Sequence, residues 1–155
     1  MVCRPQSKEQ LIKSLCCVLI ALKALHEMKI MHRDICWENV LKYIDRDRWF
    51  IIDFDDACYT TSPTPSVHLA KDSHTPEIFE DHHNKSVDIW SIGYLILTTT
   101  VNIQESVELK IYATSLMGKD KNDRSTAKEV LQWLWSEYRD VLKEDFLEGE
   151  IMEEL

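Results

Sequence analysis

Between residues 7 and 28, apolar side chains fall at positions 11, 12, 15, 18, 19, 22 and 25. That is the spacing of a helix with a broad buried face. Ser7 followed by Gln10 fits a capping box at its start. The pattern changes from Ile30. Residues 40–44 and 49–52 read as two short strands, and the charged run 45–48 as the turn of a hairpin between them. Residues 60–66 are polar and contain Pro63 and Pro65, which predicts a loop. Three further helices are expected, over 87–98, 104–117 and 126–138. The last has Val130, Leu131, Trp133, Leu134 and Trp135 on its apolar face and a start signal at Ser125 or Thr126 with Glu129. The fold class that follows is α+β, mostly helical, with a small β-hairpin element.

Composition narrows this picture. The 155 residues are 45% hydrophobic and 29% charged, enough for one domain with a genuine core. Three glycines and four prolines argue against a disordered chain or a many-turned sandwich. A net charge of −9 argues against nucleic acid or an anionic membrane as the main partner. Much of that charge lies in residues 137–155, where Glu137, Asp140, Glu144, Asp145, Glu148, Glu150, Glu153 and Glu154 face only Arg139 and Lys143. This segment is expected to be a solvated acidic helix or tail, following a domain over 1–136. Cysteines at 3, 16, 17, 36 and 58 form no CxxC and are odd in number. Neither a disulfide framework nor a zinc site follows, and a reducing, cytoplasmic location is expected. The apolar stretch 11–25 is interrupted by Lys13, Ser14 and Lys23 and is too short to span a bilayer.

The chemistry is concentrated in one run. His32-Arg33-Asp34 is followed by four residues and then Asn39. Nineteen residues after Asp34, behind a hydrophobic strand, comes Asp53 with Phe54. Thr75-Pro76-Glu77, Asp88-Ile89-Trp90-Ser91-Ile92-Gly93 and Asp123-Arg124-Ser125-Thr126-Ala127 follow in order. These five motifs resemble, in type and sequence order, the catalytic loop, magnesium loop, A-P-E element, central-helix start and R-P-[ST]-A segment of the eukaryotic-type protein kinase superfamily. The resemblance covers roughly positions 8 to 136 and is to the C-terminal lobe only.

That resemblance implies an ATP-dependent protein kinase acting on a protein Ser/Thr, less readily Tyr, hydroxyl. It implies Asp34 as the catalytic base, Arg33 as partner for a phosphate on the activation segment, and Asn39 and Asp53 as ligands of Mg2+. Leu41 would lie under the adenine of ATP. His32 and Phe54 would couple the two loops, and Asp88 would anchor the catalytic loop. Trp90 belongs to the central-helix motif, and Glu77 would pair with Arg124. Within an activation segment over 53–77, Ser62 and Thr64 precede prolines and are candidate phosphosites. An aminoglycoside- or choline-type small-molecule kinase shares the H-x-D-x-x-x-x-N loop, but Glu77, Trp90, Gly93 and Arg124 argue against it.

Three departures stand out. Gly93, Gly118 and Gly149 cannot make a phosphate-covering loop, so the N-terminal lobe is expected to be absent from this chain and supplied or replaced by a protein partner. Weak ATP binding by the isolated chain follows, and the alternative reading is a pseudokinase-like, non-catalytic interaction module. Asp55 stands where the family has a glycine. Cys36 stands where Ser/Thr kinases usually carry a lysine. His82-His83 reads as a solvated loop.

Overall fold

The computed structural model describes residues 4–152. Cys3 and the acidic pair Glu153 and Glu154 lie outside them. Five helices carry the fold: α1 (Lys8–Glu27), α2 (Ser86–Leu97), α3 (Val107–Leu116), α4 (Ala127–Leu142) and α5 (Glu148–Met152). Two antiparallel strand pairs sit among them. β2 (Val40–Lys42) and β3 (Trp49–Ile51) form the expected hairpin, in the register Val40↔Ile51, Leu41↔Phe50, Lys42↔Trp49. β1 (Ile30–Met31) pairs with β4 (Cys58–Tyr59), a pairing that sequence reading did not anticipate. Strands of two residues carry no periodicity to detect.

The helix boundaries have identifiable causes. The Ser7 side chain accepts from the Gln10 amide at 3.1 Å, which starts α1. The reciprocal arm of the capping box goes elsewhere, since Gln10 Oε1 accepts from Gln6 N at 3.0 Å. α4 begins with a complete capping box between Thr126 and Glu129. It kinks at Tyr138 (φ −127°, ψ 29°) and continues to Leu142, beyond the expected end. α3 begins at Val107, later than expected, because Asn102 Oδ1 takes the Gln104 amide at 3.0 Å and closes a turn there.

The main core lies between α1, α4, the hairpin and α2, with α3 packed on α2. Leu11, Ile12, Leu15, Leu19 and Leu22 of α1 are fully buried. α2 and α3 approach so closely at Gly93 that a Cβ there would lie 2.5 Å from the Ala113 carbonyl oxygen. A backbone atom cannot swing aside as a side chain can. Gly93→Ala is therefore expected to destabilise the fold by about 1–3 kcal/mol in urea denaturation, the usual cost of overpacking.

The expectation of a solvated acidic tail is corrected. Leu142, Phe146 and Ile151 are buried in the main core. Buried Lys13 of α1 pairs with Asp145 at 2.6 Å and with Glu9 at 2.8 Å. The Arg48 guanidinium stacks over the Phe146 ring at 4.0 Å and donates to the Asp145 carbonyl. Glu137, Asp140, Glu144, Glu148 and Glu150 are exposed, while Asp145 turns in to Lys13 and Leu142, Phe146 and Ile151 are buried. Among the described residues no helix is long and apolar enough to cross a membrane.

Candidate active site

The loop between β1 and β2 holds His32, Arg33 and Asp34, and it is fixed from below by Asp88. This carboxylate, in the first turn of α2, is fully buried. Its Oδ1 accepts from Arg33 N at 2.7 Å, and its Oδ2 from His32 N at 2.9 Å and His26 Nε2 at 2.8 Å. His26, at the end of α1, was not singled out from sequence. Trp37 Nε1 adds a bond of 3.1 Å to the Leu95 carbonyl, tying the next 3-10 turn to α2.

Asn39 ends that turn and is buried. Its Nδ2 donates to the Asp34 carbonyl at 2.9 Å and to Asp34 Oδ2 at 3.0 Å. With the amide nitrogen spent, the amide oxygen is the atom left to meet a cation. The Ile52 amide donates to the Asn39 carbonyl at 3.0 Å, so the hairpin brings Asn39 beside the exposed Asp53. Asp53 has φ 63° and Arg33 φ 72°, two of the four non-glycine residues with left-handed backbone among those described. Such strain collects where surrounding structure enforces it, often at functional sites. Asp55, at the glycine position of the family motif, has no positive φ, so aspartate is accommodated there without that cost. His32 Nε2 donates to the Ile52 carbonyl at 3.0 Å, and Phe54 packs edge-on against His32 at 4.7 Å. Leu41 is half-buried in β2 opposite Phe50.

Arg33 is buried and turned toward the segment that follows Asp53. Its Nε donates to the Asp56 carbonyl at 2.6 Å and its Nη1 to the Thr64 carbonyl at 2.5 Å. The same Nη1 lies 3.3 Å from His83 Nε2. His83 Nδ1 donates to the Glu80 carbonyl at 2.9 Å, so Nε2 is free to accept from arginine and the ring is neutral. Burial lowers the His83 pKa, as do the nearby Arg33 and Lys121 charges. The solvated reading of His82-His83 holds for exposed His82 and fails for His83, which is 1% exposed. Ser62 and Thr64 are exposed. Buried Asp56 is turned to His68 Nε2 at 2.9 Å.

Asp34 has a second partner. His74 Nε2 lies 2.9 Å from Asp34 Oδ1. Hydrogen bonding to His74 holds the Asp34 carboxyl below its usual range against the opposing effect of burial. Burial disfavours a charged His74, yet Asp34 and the Ala70 carbonyl outweigh it and raise the histidine pKa. Two residues on from Asp34, burial pushes the Cys36 thiol up to about 11, so it is un-ionised at neutral pH.

A protein kinase domain model matches residues 4–107, more than half of the chain. The chain belongs to the protein kinase family. It is 41% identical over 136 residues to Crinkler effector protein 8 of Phytophthora infestans, covering 84% of this chain and 23% of that protein. It is 28% identical over 130 residues to a probable serine/threonine-protein kinase of Encephalitozoon cuniculi, covering 77% and 25%. A serine/threonine-protein kinase of human herpesvirus 1 is 34% identical over 91 residues, covering 55% and 19%. The chain thus spans about a quarter or less of the length of these curated relatives.

In this kinase-family chain the Glu77 and Arg124 side chains meet directly. Glu77 accepts from Arg124 Nη1 and from the Thr75 hydroxyl. Arg124 also donates to the Gly118 carbonyl, from Nε at 3.0 Å and Nη2 at 2.8 Å, and to the Ser86 carbonyl at 3.2 Å. Trp90 lines a cleft that Glu77 and Arg124 also border, and it stacks on Tyr94 with ring centroids 5.4 Å apart. Burial raises the cost of charging Glu77, but its hydrogen bonds to Arg124 and Thr75 hold the pKa below the ordinary value. A lowered folded pKa stabilises the fold above the unfolded value, and that stability fades as pH falls through the folded one. Glu77→Gln is therefore expected to flatten the acid limb of the stability–pH curve below roughly pH 4.5. Urea denaturation of both forms at pH 7 and pH 3.5 checks this; parallel curves would contradict it.

Proposed function

We propose that this chain carries the phosphoryl-transfer machinery of a protein kinase and moves the terminal phosphoryl group of ATP to a protein serine or threonine hydroxyl. The observation that carries the reading is Asp34, a half-buried carboxylate held by Asn39 and His74 over a loop whose backbone is anchored on Asp88. The substrate hydroxyl oxygen forms the new P–O bond as the bond to the ADP leaving group breaks, and the hydroxyl proton passes to Asp34. A carboxylate offers about four lone-pair sites. Asn39 and His74 use one each and leave room for the hydroxyl.

The Asn39 amide oxygen and the Asp53 carboxylate are hard oxygen donors on adjoining strand ends. They fit Mg2+, whose remaining positions water and phosphate would fill, and which would neutralise charge on the phosphates. No group of three or more His, Cys, Asp or Glu that could hold a metal occurs among the described residues, so a two-ligand site completed by nucleotide is the arrangement this donor set supports. Leu41 and Phe50 offer an apolar floor for adenine. Without a glycine-rich loop, the opposite wall is assigned to a further segment or a protein partner. Ser62 and Thr64 are the proposed phosphosites, next to the carbonyl that Arg33 holds.

A second reading, a non-catalytic interaction module, is favoured by Asp34 already carrying an ion pair. Calorimetry of ATP with the full-length protein separates the two. Binding is expected to require Mg2+ and to weaken at least about tenfold in Asp53→Asn, the loss of a charge-assisted ligand being worth more than 1.4 kcal/mol. Metal-independent binding, or no binding, would sink the kinase reading.

A further inference from the structure

His74 sits near the end of the segment that runs from Asp53 to Glu77, forty residues from Asp34 in sequence, and belongs to none of the five motifs. It is 7% exposed. Its Nε2 is 2.9 Å from Asp34 Oδ1, and its Nδ1 is 2.8 Å from the Ala70 carbonyl and 3.1 Å from Ser73 Oγ. A carboxylate and a carbonyl only accept. Both ring nitrogens must therefore carry protons, and the ring is an imidazolium. His83 shows the opposite arrangement, with one nitrogen facing an arginine donor. Among the described residues, His74 is the one cationic side chain paired with Asp34.

The catalytic loop supplies no such cation itself. The position two residues after Asp34 is Cys36, half-buried and uncharged. We propose, resting on the kinase reading above, that His74 is the positioning residue for Asp34: its imidazolium, delivered by the activation segment, aims the carboxylate and provides the positive charge that Cys36 cannot. The contact also makes the base depend on the segment. When residues 70–74 leave their docked place, Asp34 loses its partner and its orientation together.

The test uses the full-length protein. His74→Gln keeps a donor of similar reach and removes the charge. It is expected to lower kcat by about tenfold to a hundredfold, the scale on which misplacing a catalytic group acts, with KM for Mg-ATP changed less than about twofold, since uniform binding is untouched. Adding Cys36→Lys to that variant returns a cation beside Asp34 from the loop itself. Recovery of most of the lost kcat supports the proposal, because a purely structural role for His74 would not be rescued from position 36. An unchanged kcat in His74→Gln, or no recovery in the double variant, overturns it. Nitrogen-15 NMR of the histidine-labelled wild type at pH 7 adds a readout that needs neither the variants nor activity. Two protonated ring nitrogens on His74 support the proposal, and a neutral ring overturns it. A wild type that transfers no phosphate while His74 is doubly protonated sinks the kinase reading and leaves the Asp34 pairing standing, so the two failures are distinguishable.

Discussion

Replacing Asp34 by asparagine is expected to lower the rate of phosphoryl transfer about 10²–10⁴-fold, the usual contribution of a positioned general base. Asparagine has the same shape and can still accept one bond from Asn39. It cannot take a proton from the substrate hydroxyl, and it leaves the His74 charge without its partner. Binding of Mg-ATP should change little, since Asp34 is assigned no role in holding nucleotide. The split between kcat and KM therefore identifies the mechanism. A variant with near-wild-type kcat would remove Asp34 from the reaction. A variant that has lost nucleotide binding would instead show that Asp34 holds the site together.

The second large effect concerns the support beneath the loop. Asp88→Ala removes the acceptor of two buried backbone amides, His32 N and Arg33 N, and of His26 Nε2. Each buried donor left unsatisfied costs about 1–3 kcal/mol, so the three together are expected to cost at least about 3 kcal/mol. For a domain of this size each kcal/mol lowers Tm by roughly 2–4 °C, so a fall of at least about 6 °C is expected. Asp88→Asn retains one oxygen acceptor and should fall between the wild type and the alanine variant. Differential scanning calorimetry checks both. A shift of a degree or two for Asp88→Ala would show that water or a rearranged loop replaces the carboxylate.

The features legible in the sequence were those fixed by short-range chemistry. The residues from His32 to Asn39 form one loop, and Asp53 follows a strand of the same hairpin, so their spacing carries their geometry. Glu77 and Arg124 are far apart in sequence, and they were recognisable only because each sits in its own local motif. The three histidines that finish the site had no such signal. His26, His74 and His83 act across 62, 40 and 50 residues on Asp88, Asp34 and Arg33. A histidine with no periodic context reads the same whether it lies in solvent or against a carboxylate or arginine distant in sequence. The C-terminal segment was misread for a different reason. Its acidic majority masked Leu142, Phe146 and Ile151, which lie at the end of α4, in the turn after it and in α5, so no single helical period marks them as one buried face.

The most direct measurement is transfer of labelled terminal phosphate from Mg-ATP to a protein acceptor by the purified full-length protein, with Asp53→Asn assayed beside it. The assignment of this chain as phosphoryl-transfer machinery predicts label on serine or threonine that depends on Mg2+ and all but disappears in the variant. No label from the wild type, or equal label from both, would contradict it.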